Sequence, residues 1–423
     1  MLNNQNKNSI IVVKNCCNDF AISNLSVSLT RKLNIKRHNQ MNNFVFQNPV
    51  KVIFGKGSIA ELPNNLYKGE KIMMTYGGGS IKKNGVYDQV KKALEGYSII
   101  EFGGIEPNPD FETLMKAVKI CREEGVGFLL AVGGGSVIDG TKLIAAAVDF
   151  KGDPWDILTK GADFDEALPI ATVLTMPATG SEMNCNAVIS RRTTKEKFAF
   201  GNPKVYPVFS ILDPEVVYSI PKRQKANGLA DSFIHVFEQY LTDDIDTPVQ
   251  DRWSEGVFKT IIETAPKVLV DNPPYNACAN YMWAATCALN FFLCPGVNQD
   301  WSTHMIGHEL TALCGLDHGV TLSIVLPGTM RVMRKEKKAK LLMFAKNVWG
   351  ITSGSDDEII DKVIDATEKF FQSLGIKTRL SDYNIGKEIV DEIYNRFKTR
   401  GLELGEHGIV TPEKAKAILE DRL

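Results

Sequence analysis

Carboxylate and imidazole side chains in the second half of the chain are spaced to bind a metal ion. Asp231 and His235 lie four residues apart, as do His304 and His308, and His318 follows soon after. Residues four apart project from the same face of a helix, so each pair can present two donor groups to one ion. One carboxylate with two or three imidazoles suits Fe²⁺ or Zn²⁺ rather than Mg²⁺ or Ca²⁺. The spacing therefore predicts a site for one divalent transition metal.

Two other interpretations of these histidines have to be weighed. A single buried histidine is usually a hydrogen-bonded core residue, but several neutral imidazoles and a carboxylate are costly to bury in apolar helices without a shared partner. His308-Glu309 also matches the start of the zinc-protease pattern H-E-x-x-H, but Ala312 stands where the second histidine is required. The protease interpretation therefore fails, and the metal-site interpretation stands.

Two glycine-rich turns in the first half could bind phosphate groups. The turns are Gly77-Gly78-Gly79-Ser80 and Gly133-Gly134-Gly135-Ser136, and each follows an apolar strand and precedes a helical pattern. Glycines let a ligand approach the backbone closely, and a helix N-terminus offers unpaired N–H groups. Neither turn is the G-x-G-x-x-G fingerprint, and one such turn alone is more often a tight connection. Two of them in one sheet favour a dinucleotide lying across several strand ends.

The residues near these turns indicate which cofactor is used. NAD-selective sites place a carboxylate near the ribose 2′-hydroxyl, whereas here Lys82 and Lys83 follow the first turn at once and no acid lies within it. The sequence therefore favours NADP(H) over NAD(H). Asp139 lies just inside the helix after the second turn, where it is either an ordinary helix-start acid or a cofactor-side or catalytic residue.

The pattern of apolar residues predicts the elements that position these groups. Segments 50–54, 71–76 and 128–132 read as buried parallel strands, and 111–120 has helical spacing. After Pro221 the segments 254–270, 277–292 and 356–374 are helical in pattern. We therefore expect an α/β dinucleotide-binding domain over residues 41–220, with a Rossmann-like parallel sheet, and an all-helical metal-binding domain over residues 221–423.

Composition narrows the function classes. Lys plus Arg (49) nearly balances Asp plus Glu (50), so no general attraction to nucleic acid or an anionic membrane is expected. Scattered cysteines without C-x-x-C spacing read as free thiols of a cytoplasmic protein. Residues 1–40 are basic and acid-poor; we favour an over-extended start before Met41 over an organelle-import leader, with either expected to be disordered. No Lys or Arg occurs between Lys267 and Arg331, which favours small neutral substrates.

Several further motifs carry a resemblance to a known family. From Met41 to the C-terminus the chain resembles the iron-containing alcohol dehydrogenases, specifically their butanol dehydrogenase and NADPH-dependent aldehyde reductase branch. Besides the glycine-rich turns and both histidine motifs, the matching segments are Phe54-Gly55-Lys56-Gly57, 103–109 and Pro177-Ala178-Thr179-Gly180-Ser181-Glu182.

This resemblance implies residue roles and an architecture similar to dehydroquinate synthase. It implies that the metal ligands are Asp231, His235, His304 and His318, with His308 a nearby non-ligand that helps to move a proton. It implies that Gly77, Gly78, Gly79, Ser80, Gly134, Gly135 and Ser136 lie at the cofactor phosphates, and that Thr175, Thr179, Asn184 and Lys197 lie along the cofactor. It also implies Fe²⁺ or Zn²⁺, and a homodimer formed through the N-terminal region.

The expected function is hydride transfer between NADPH and a small neutral aldehyde of the butanal type, which yields a primary alcohol. The metal would polarise the carbonyl while the nicotinamide supplies the hydride. The alternatives of similar architecture are polyol or polyol-phosphate dehydrogenases and dehydroquinate synthase-type lyases. The anionic substrates of the phosphate-dependent and lyase classes fit poorly with the missing basic residues.

Overall fold

A computed structural model describes residues 40–66 and 68–423. Residues 1–40, predicted to be either an over-extended start or an organelle-import leader, lie outside the described residues apart from Gln40. The described chain forms two compact units. Unit 1 comprises Gln47–Pro221 and Val270–Asn290, and unit 2 comprises residues 40–46, Lys222–Leu269 and Phe291–Leu423.

Unit 1 is built on a six-stranded sheet in which every neighbouring pair is parallel. Its strands are β1 (Lys51–Phe54), β2 (Lys71–Tyr76), β3 (Ser98–Phe102), β4 (Phe128–Gly134), β5 (Ile170–Met176) and β8 (Phe209–Leu212), and a separate antiparallel hairpin joins β6 (Asn186–Arg191) to β7 (Glu196–Gly201). The connecting α-helices are α1 (Ser80–Lys83), α2 (Val86–Ala93), α3 (Phe111–Glu124), α4 (Gly135–Ala147) and α5 (Trp155–Thr159).

The strand order explains why the two glycine-rich turns matter. The strand order is β1-β8-β5-β4-β2-β3. From β2 the chain adds β3 on one side and then β4, β5 and β8 on the other, as in a doubly wound sheet, so the order of strand addition reverses between β2 and β4. Ligands of such sheets bind beyond the carboxyl ends of the strands at this reversal. The turns 77–80 and 133–136 follow β2 and β4, the two strands that flank it. The topology thus puts both predicted phosphate-binding turns at the expected edge.

Unit 2 is helical in its described residues. Its α-helices are α6 (Lys222–Tyr240), α7 (Pro248–Val268), α9 (Ser302–Cys314), α10 (His318–Val332), α11 (Lys338–Trp349), α12 (Asp356–Ser373), α13 (Lys387–Arg400) and α14 (Pro412–Glu420). Buried apolar side chains from α9, α10, α13 and α14 form a core that packs these four helices together. Burial of this apolar surface is the main favourable contribution to folding. No described helix combines the length and apolar character needed to cross a membrane.

The predicted fold class, a parallel-sheet domain followed by a helical one, is confirmed. One helix lies elsewhere than the sequence suggested: α8 (Tyr275–Ala288) was expected in the 221–423 domain but packs within unit 1. The hydroxyl of Tyr281 on α8 donates to the Pro177 carbonyl at 2.6 Å, and Thr286 donates to Glu182. Its helical periodicity was visible in the sequence, whereas its packing partner depended on contacts distant along the chain.

Candidate metal centre and cofactor-binding turns

Helix α6 supplies the first two groups of the predicted metal centre. Every residue from 225 to 240 is buried, so this helix has no solvent-facing side along that stretch. Asp231 and His235, one helical turn apart, therefore lie in the interior of unit 2. His304 projects from α9, and His318 is the first residue of α10. Three helices thus contribute to one cluster.

The donor atoms of these four residues converge on one carboxylate oxygen. Asp231 Oδ1 lies 3.6 Å from His235 Nε2, 3.8 Å from His304 Nε2 and 3.6 Å from His318 Nε2. One donor atom each from Asp231, His304 and His318 lies within 4.8 Å of the other two. The imidazole rings of His235 and His304 stack with their centroids 4.7 Å apart.

These distances fit coordination to a metal better than hydrogen bonding. Hydrogen bonds between such atoms are about 2.7–3.2 Å long, shorter than the separations seen here. Ligand atoms about 2.1 Å from a tetrahedrally coordinated ion lie about 3.4 Å from one another. Asp231, His304 and His318 therefore fit one transition-metal ion in both donor type and spacing, and His235 lies beside them with Nε2 3.6 Å from Asp231 Oδ1.

A carboxylate that the sequence analysis missed holds one of the imidazoles. Glu238 follows His235 on α6, is 2 % exposed, and contacts His304 Nδ1 through Oε2. Its Oε1 accepts from the backbone N–H of Thr303 at 2.5 Å. The signal that could have found it is spacing, because Glu238 lies seven residues after Asp231 on the same helical face.

The electrostatics of this pair favour a proton on His304 when no cation is present. Burial alone would lower the pKa of His304, but the carboxylates of Glu238 and Asp231 outweigh it and raise that pKa to about 9. A metal ion bound there must replace this proton, because ligating imidazoles are neutral. Metal uptake is therefore expected to release protons.

His308 lies beside the cluster. Its ring centroid is 5.3 Å from that of His318 and 6.2 Å from that of His304, and the residue is 2 % exposed. Its neighbour Glu309 is held by Arg396 and Arg400 of α13. Both oxygens of Glu309 are engaged in these ion pairs. Glu309, which had resembled the glutamate of the zinc-protease pattern, therefore has a structural role.

Trp301 forms part of the apolar surroundings of the centre. Its ring centroid lies 5.1 Å from that of His304 and 6.1 Å from that of His235. It precedes α9 in a left-handed conformation, φ 61°, that a bulky residue adopts only when its surroundings require it. Phe292 stacks on Trp253, with the ring centroids 4.3 Å apart, and is 40 % exposed.

In unit 1, the first glycine-rich turn joins β2 to the short helix α1. Gly79 has φ 93°, which explains why glycine is needed there. Next to the turn, the ammonium of Lys82 lies 5.0 Å and 4.9 Å from the ring centroids of Tyr76 and Tyr87. A cationic group therefore stands beside this strand end, as the sequence predicted.

The structure also reveals an acid near this turn that the sequence analysis did not weigh. Glu101, near the end of β3, accepts hydrogen bonds from Tyr76, Tyr87 and Lys91 at 3.2, 2.8 and 3.1 Å. Burial alone would raise the pKa of Glu101, but Tyr87 and Lys91 outweigh it and lower that pKa. A carboxylate at this strand is the kind that recognises the ribose of NAD, but here three donors already occupy its oxygens.

The second glycine-rich turn packs closely on predicted cofactor residues. A Cβ added to Gly135 would lie 2.5 Å from Thr179 Cγ2, so only glycine fits there. The Ser136 hydroxyl accepts from the Asn108 N–H at 3.2 Å, and Lys197 donates to the Asn108 side chain at 2.8 Å. Asn108 therefore links Ser136 to Lys197. The structure brings these predicted residues together, while Thr175 lies half-buried on β5.

Asp139 and Asn184 are engaged within unit 1. The two carboxylate oxygens of Asp139 accept from the Ser181 hydroxyl at 2.6 Å and the Val188 N–H at 2.9 Å. Asn184 donates to the carbonyls of Thr179 and Leu289 and accepts from Lys142. These contacts give Asp139 and Asn184 a structural role in shaping the 177–188 segment, and for Asp139 they favour the non-catalytic interpretation.

Comparison with known proteins identifies the family. Residues 49–214 match the iron-containing alcohol dehydrogenases, and residues 225–421 match the C-terminal part of the Fe-containing alcohol dehydrogenase family. The chain belongs to the iron-containing alcohol dehydrogenase family. It is 52 % identical over 384 residues to the NADPH-dependent aldehyde reductase YqhD of Escherichia coli, covering 90 % of this chain and 99 % of that protein. This similarity to an oxidoreductase confirms the predicted enzyme class and excludes the lyase alternative.

Other members of the family are also similar. A probable NADH-dependent butanol dehydrogenase of Bacillus subtilis is 42 % identical, covering 90 % of this chain and all of that protein. A crystal structure of YqhD from E. coli K-12 superposes with a TM-score of 0.89 at 51 % identity, covering 91 % of this chain and all of that one. An NADH-dependent butanol dehydrogenase from Thermotoga maritima gives 0.86 at 37 % identity, with coverage of 91 % and 100 %.

Proposed function

We propose that this alcohol dehydrogenase uses NADPH to reduce small neutral aldehydes to primary alcohols, with one divalent metal ion. The observation that carries the proposal is the convergence of three imidazoles on Asp231 Oδ1 at 3.6–3.8 Å. When bound, Fe²⁺ or Zn²⁺ would act as a Lewis acid toward a substrate oxygen. The similarity to an NADPH-dependent aldehyde reductase supports the direction of the reaction.

The proposed ligands are Asp231, His235, His304 and His318. Each is buried or half-buried, and the donor set of one carboxylate with three imidazoles matches borderline metals such as Fe²⁺ and Zn²⁺. His308 is proposed as the residue that moves a proton, because its ring lies near His318 without sharing the Asp231 oxygen. Asp139 is assigned a positioning role instead, since both of its oxygens are engaged.

The proposed cofactor is NADPH, bound along the carboxyl ends of β2 to β5. Its phosphates would lie at Gly77–Ser80 and Gly134–Ser136, with Thr175, Thr179 and Lys197 beside it. Lys82 and Lys83 would attract a 2′-phosphate, while the oxygens of Glu101 already accept hydrogen bonds from three donors. Asn184 would support this surface through its hydrogen bond to Thr179. Similar family members named for NADH make the preference worth measuring directly.

Neutral substrates are favoured by the charge distribution of unit 2. Among its described residues, Arg396 and Arg400 are paired with Glu309, and Arg223 with Asp317. These pairs reduce the positive charge available for an anionic substrate group. Trp301 adds an apolar ring next to two of the proposed ligands. We therefore expect butanal to be a better substrate than phosphorylated ketones.

The decisive experiment measures metal content and aldehyde reduction together. His304→Ala is expected to lose bound Fe²⁺ or Zn²⁺ in elemental analysis, and to lose butanal reduction by a factor of about 100 or more, while NADPH binding by fluorescence remains. His407→Ala is the matched control, because His407 is a surface histidine that contacts Asp243 instead. Full metal content and activity in His304→Ala would refute the proposal. Rates of butanal reduction with NADPH and with NADH test the cofactor preference. The rate with a phosphorylated ketone tests the preference for neutral substrates.

A homodimer and a cytoplasmic location are also proposed. Support for the dimer comes from an apolar patch of unit 2 formed by Met41, Phe44, Val45, Phe46, Val249, Trp253 and Phe292, each at least 40 % exposed. Exposed apolar patches mark interfaces. Light scattering is expected to give twice the chain mass for the native protein and the chain mass for Phe46→Ser with Phe292→Ser. A monomeric native protein would contradict this.

A further inference from the structure

A buried carboxylate on α6 faces the first turn of α9. Glu238 Oε1 accepts from the backbone N–H groups of Thr303 at 2.5 Å and His304 at 3.3 Å, while Oε2 contacts His304 Nδ1. A carboxylate has acceptor sites on both oxygens and matches N–H donors at a helix start. Glu238 therefore binds the backbone and the ring of His304 at once.

The ring contact decides which nitrogen of His304 faces the other ligands. When Nδ1–H donates to Glu238, the lone pair of the neutral ring is on Nε2. Nε2 is also the nitrogen that lies 3.8 Å from Asp231 Oδ1. The same contact thus selects the tautomer and the ring orientation that coordination requires.

The backbone around Glu238 strengthens this connection between α6 and α9. The carbonyl of Glu238 accepts from the Asp300 N–H at 2.9 Å, and the Asp300 carboxylate accepts from the Ser302 N–H at 2.8 Å. The buried ammonium of Lys337 holds Asp300 in turn, at 2.8 Å. The start of α9 is therefore anchored on α6 both before and at His304.

We propose that Glu238 is a positioning residue for the metal centre, which fixes the tautomer and orientation of His304 so that Nε2 can coordinate. This inference rests on the proposed function, because it assumes that His304 is a ligand. Removal of such carboxylate–histidine contacts in metal sites typically weakens metal binding 10- to 100-fold. Glu238→Leu should show a loss of this size, because leucine offers no acceptor to Nδ1–H.

The test measures metal affinity directly. The dissociation constant for Zn²⁺ is obtained by chelator competition for the native protein, Glu238→Leu, Glu238→Gln and the control Glu255→Gln. Glu255 is also buried in unit 2, but it binds Tyr240 and Asn347 rather than a proposed ligand. Glu238→Gln is expected to lose less than Glu238→Leu, because its amide oxygen can still accept from Nδ1–H. The visible spectrum of the Co²⁺-loaded protein should change in Glu238→Leu and stay native in Glu255→Gln.

The outcomes separate this inference from the proposed function. If the native protein binds neither Zn²⁺ nor Fe²⁺, the proposed function fails. If the native protein binds metal and both Glu238 variants keep its affinity within about twofold, well under the usual loss, the positioning role alone is overturned. If Glu238→Leu does not fold, Glu238→Gln decides, because a neutral amide oxygen is a weaker acceptor than a carboxylate: ¹⁵N NMR of the metal-free protein should show a changed Nδ1 signal for His304, and an unchanged signal overturns the inference.

Discussion

Replacement of the buried Lys142 tests how unit 1 shapes the edge that is proposed to bind the cofactor. Lys142 lies on α4, is 0 % exposed, and donates to the carbonyls of Ser181 and Asn186 at 2.8 Å each. It also donates to the Ser181 hydroxyl at 2.8 Å and the Asn184 side chain at 3.1 Å. One side chain therefore holds a segment that includes two predicted cofactor residues, Thr179 and Asn184. Replacing it by methionine keeps the volume and removes the charge.

The expected cost follows from these contacts. Each hydrogen bond to a charged group contributes about 1.5–3 kcal/mol, but relaxation of the segment toward water recovers part of the sum. Removing the ammonium leaves buried acceptors without their donor, and each such group costs about 1–3 kcal/mol. A loss of about 3 kcal/mol in the local opening free energy corresponds to amide exchange on the order of 100 times faster.

Hydrogen exchange with mass spectrometry measures this effect on a peptide that spans residues 177–190. Lys142→Met is expected to speed exchange there and to weaken NADPH binding, while metal content stays native. Lys340→Met is the matched control, because Lys340 is a buried lysine of unit 2 paired with Asp251. Exchange in Lys142→Met within about threefold of native would refute the reasoning, since the loss would then be under about 1 kcal/mol.

Four further outcomes are expected. Arg422→Met should lower the free energy of unfolding in urea by about 3–5 kcal/mol, because its buried guanidinium contacts Glu368 and the Thr378 carbonyl. Ser355→Ala should cost about 1 kcal/mol in the same assay, since it removes the capping box of α12. Burial raises the pKa of the Cys121 thiol to about 12, so alkylation of Cys121 in the native protein should be negligible at pH 8 and should increase as the pH rises. Chelation should lower the unfolding temperature; metal at about 100 times its dissociation constant should restore about 2.7 kcal/mol.

The residues of the proposed metal centre could be found from the sequence because they lie close together along the chain. Asp231 and His235 share one helical face, and the histidine-rich segment from His304 to His318 falls within two consecutive helices. Periodicity alone identified these groups, and the family resemblance proposed the ligand set. Glu238 was not predicted as part of the centre, because the groups that it contacts lie more than sixty residues further along the chain. Sequence spacing places Glu238 on the helical face of Asp231, but only the folded structure shows that it contacts Thr303 and His304.

In the sheet unit, the strands could be predicted closely and the connections could not. Segment 71–76 was predicted as a strand with the bounds that β2 has. Continuous apolar runs identify such strands, because both faces of a parallel sheet are covered. The hairpin of β6 and β7 was not predicted, and neither was the engagement of Asp139. The latter depends on Ser181 and Val188, distant residues that reach α4 only in the folded chain.

The burial of α6 links the proposed metal centre to the core of unit 2. An amphipathic surface helix would place Asp231, His235 and Glu238 toward water. Here residues 225–240 are buried throughout, so these polar groups must be stabilised inside the protein. Glu238 reaches the start of α9, whereas the Asp231 oxygen and the imidazoles stay 3.6–3.8 Å apart, too far for hydrogen bonds between them. A cation shared by these atoms would offset the cost of burying them, so the same helix face serves both chemistry and stability.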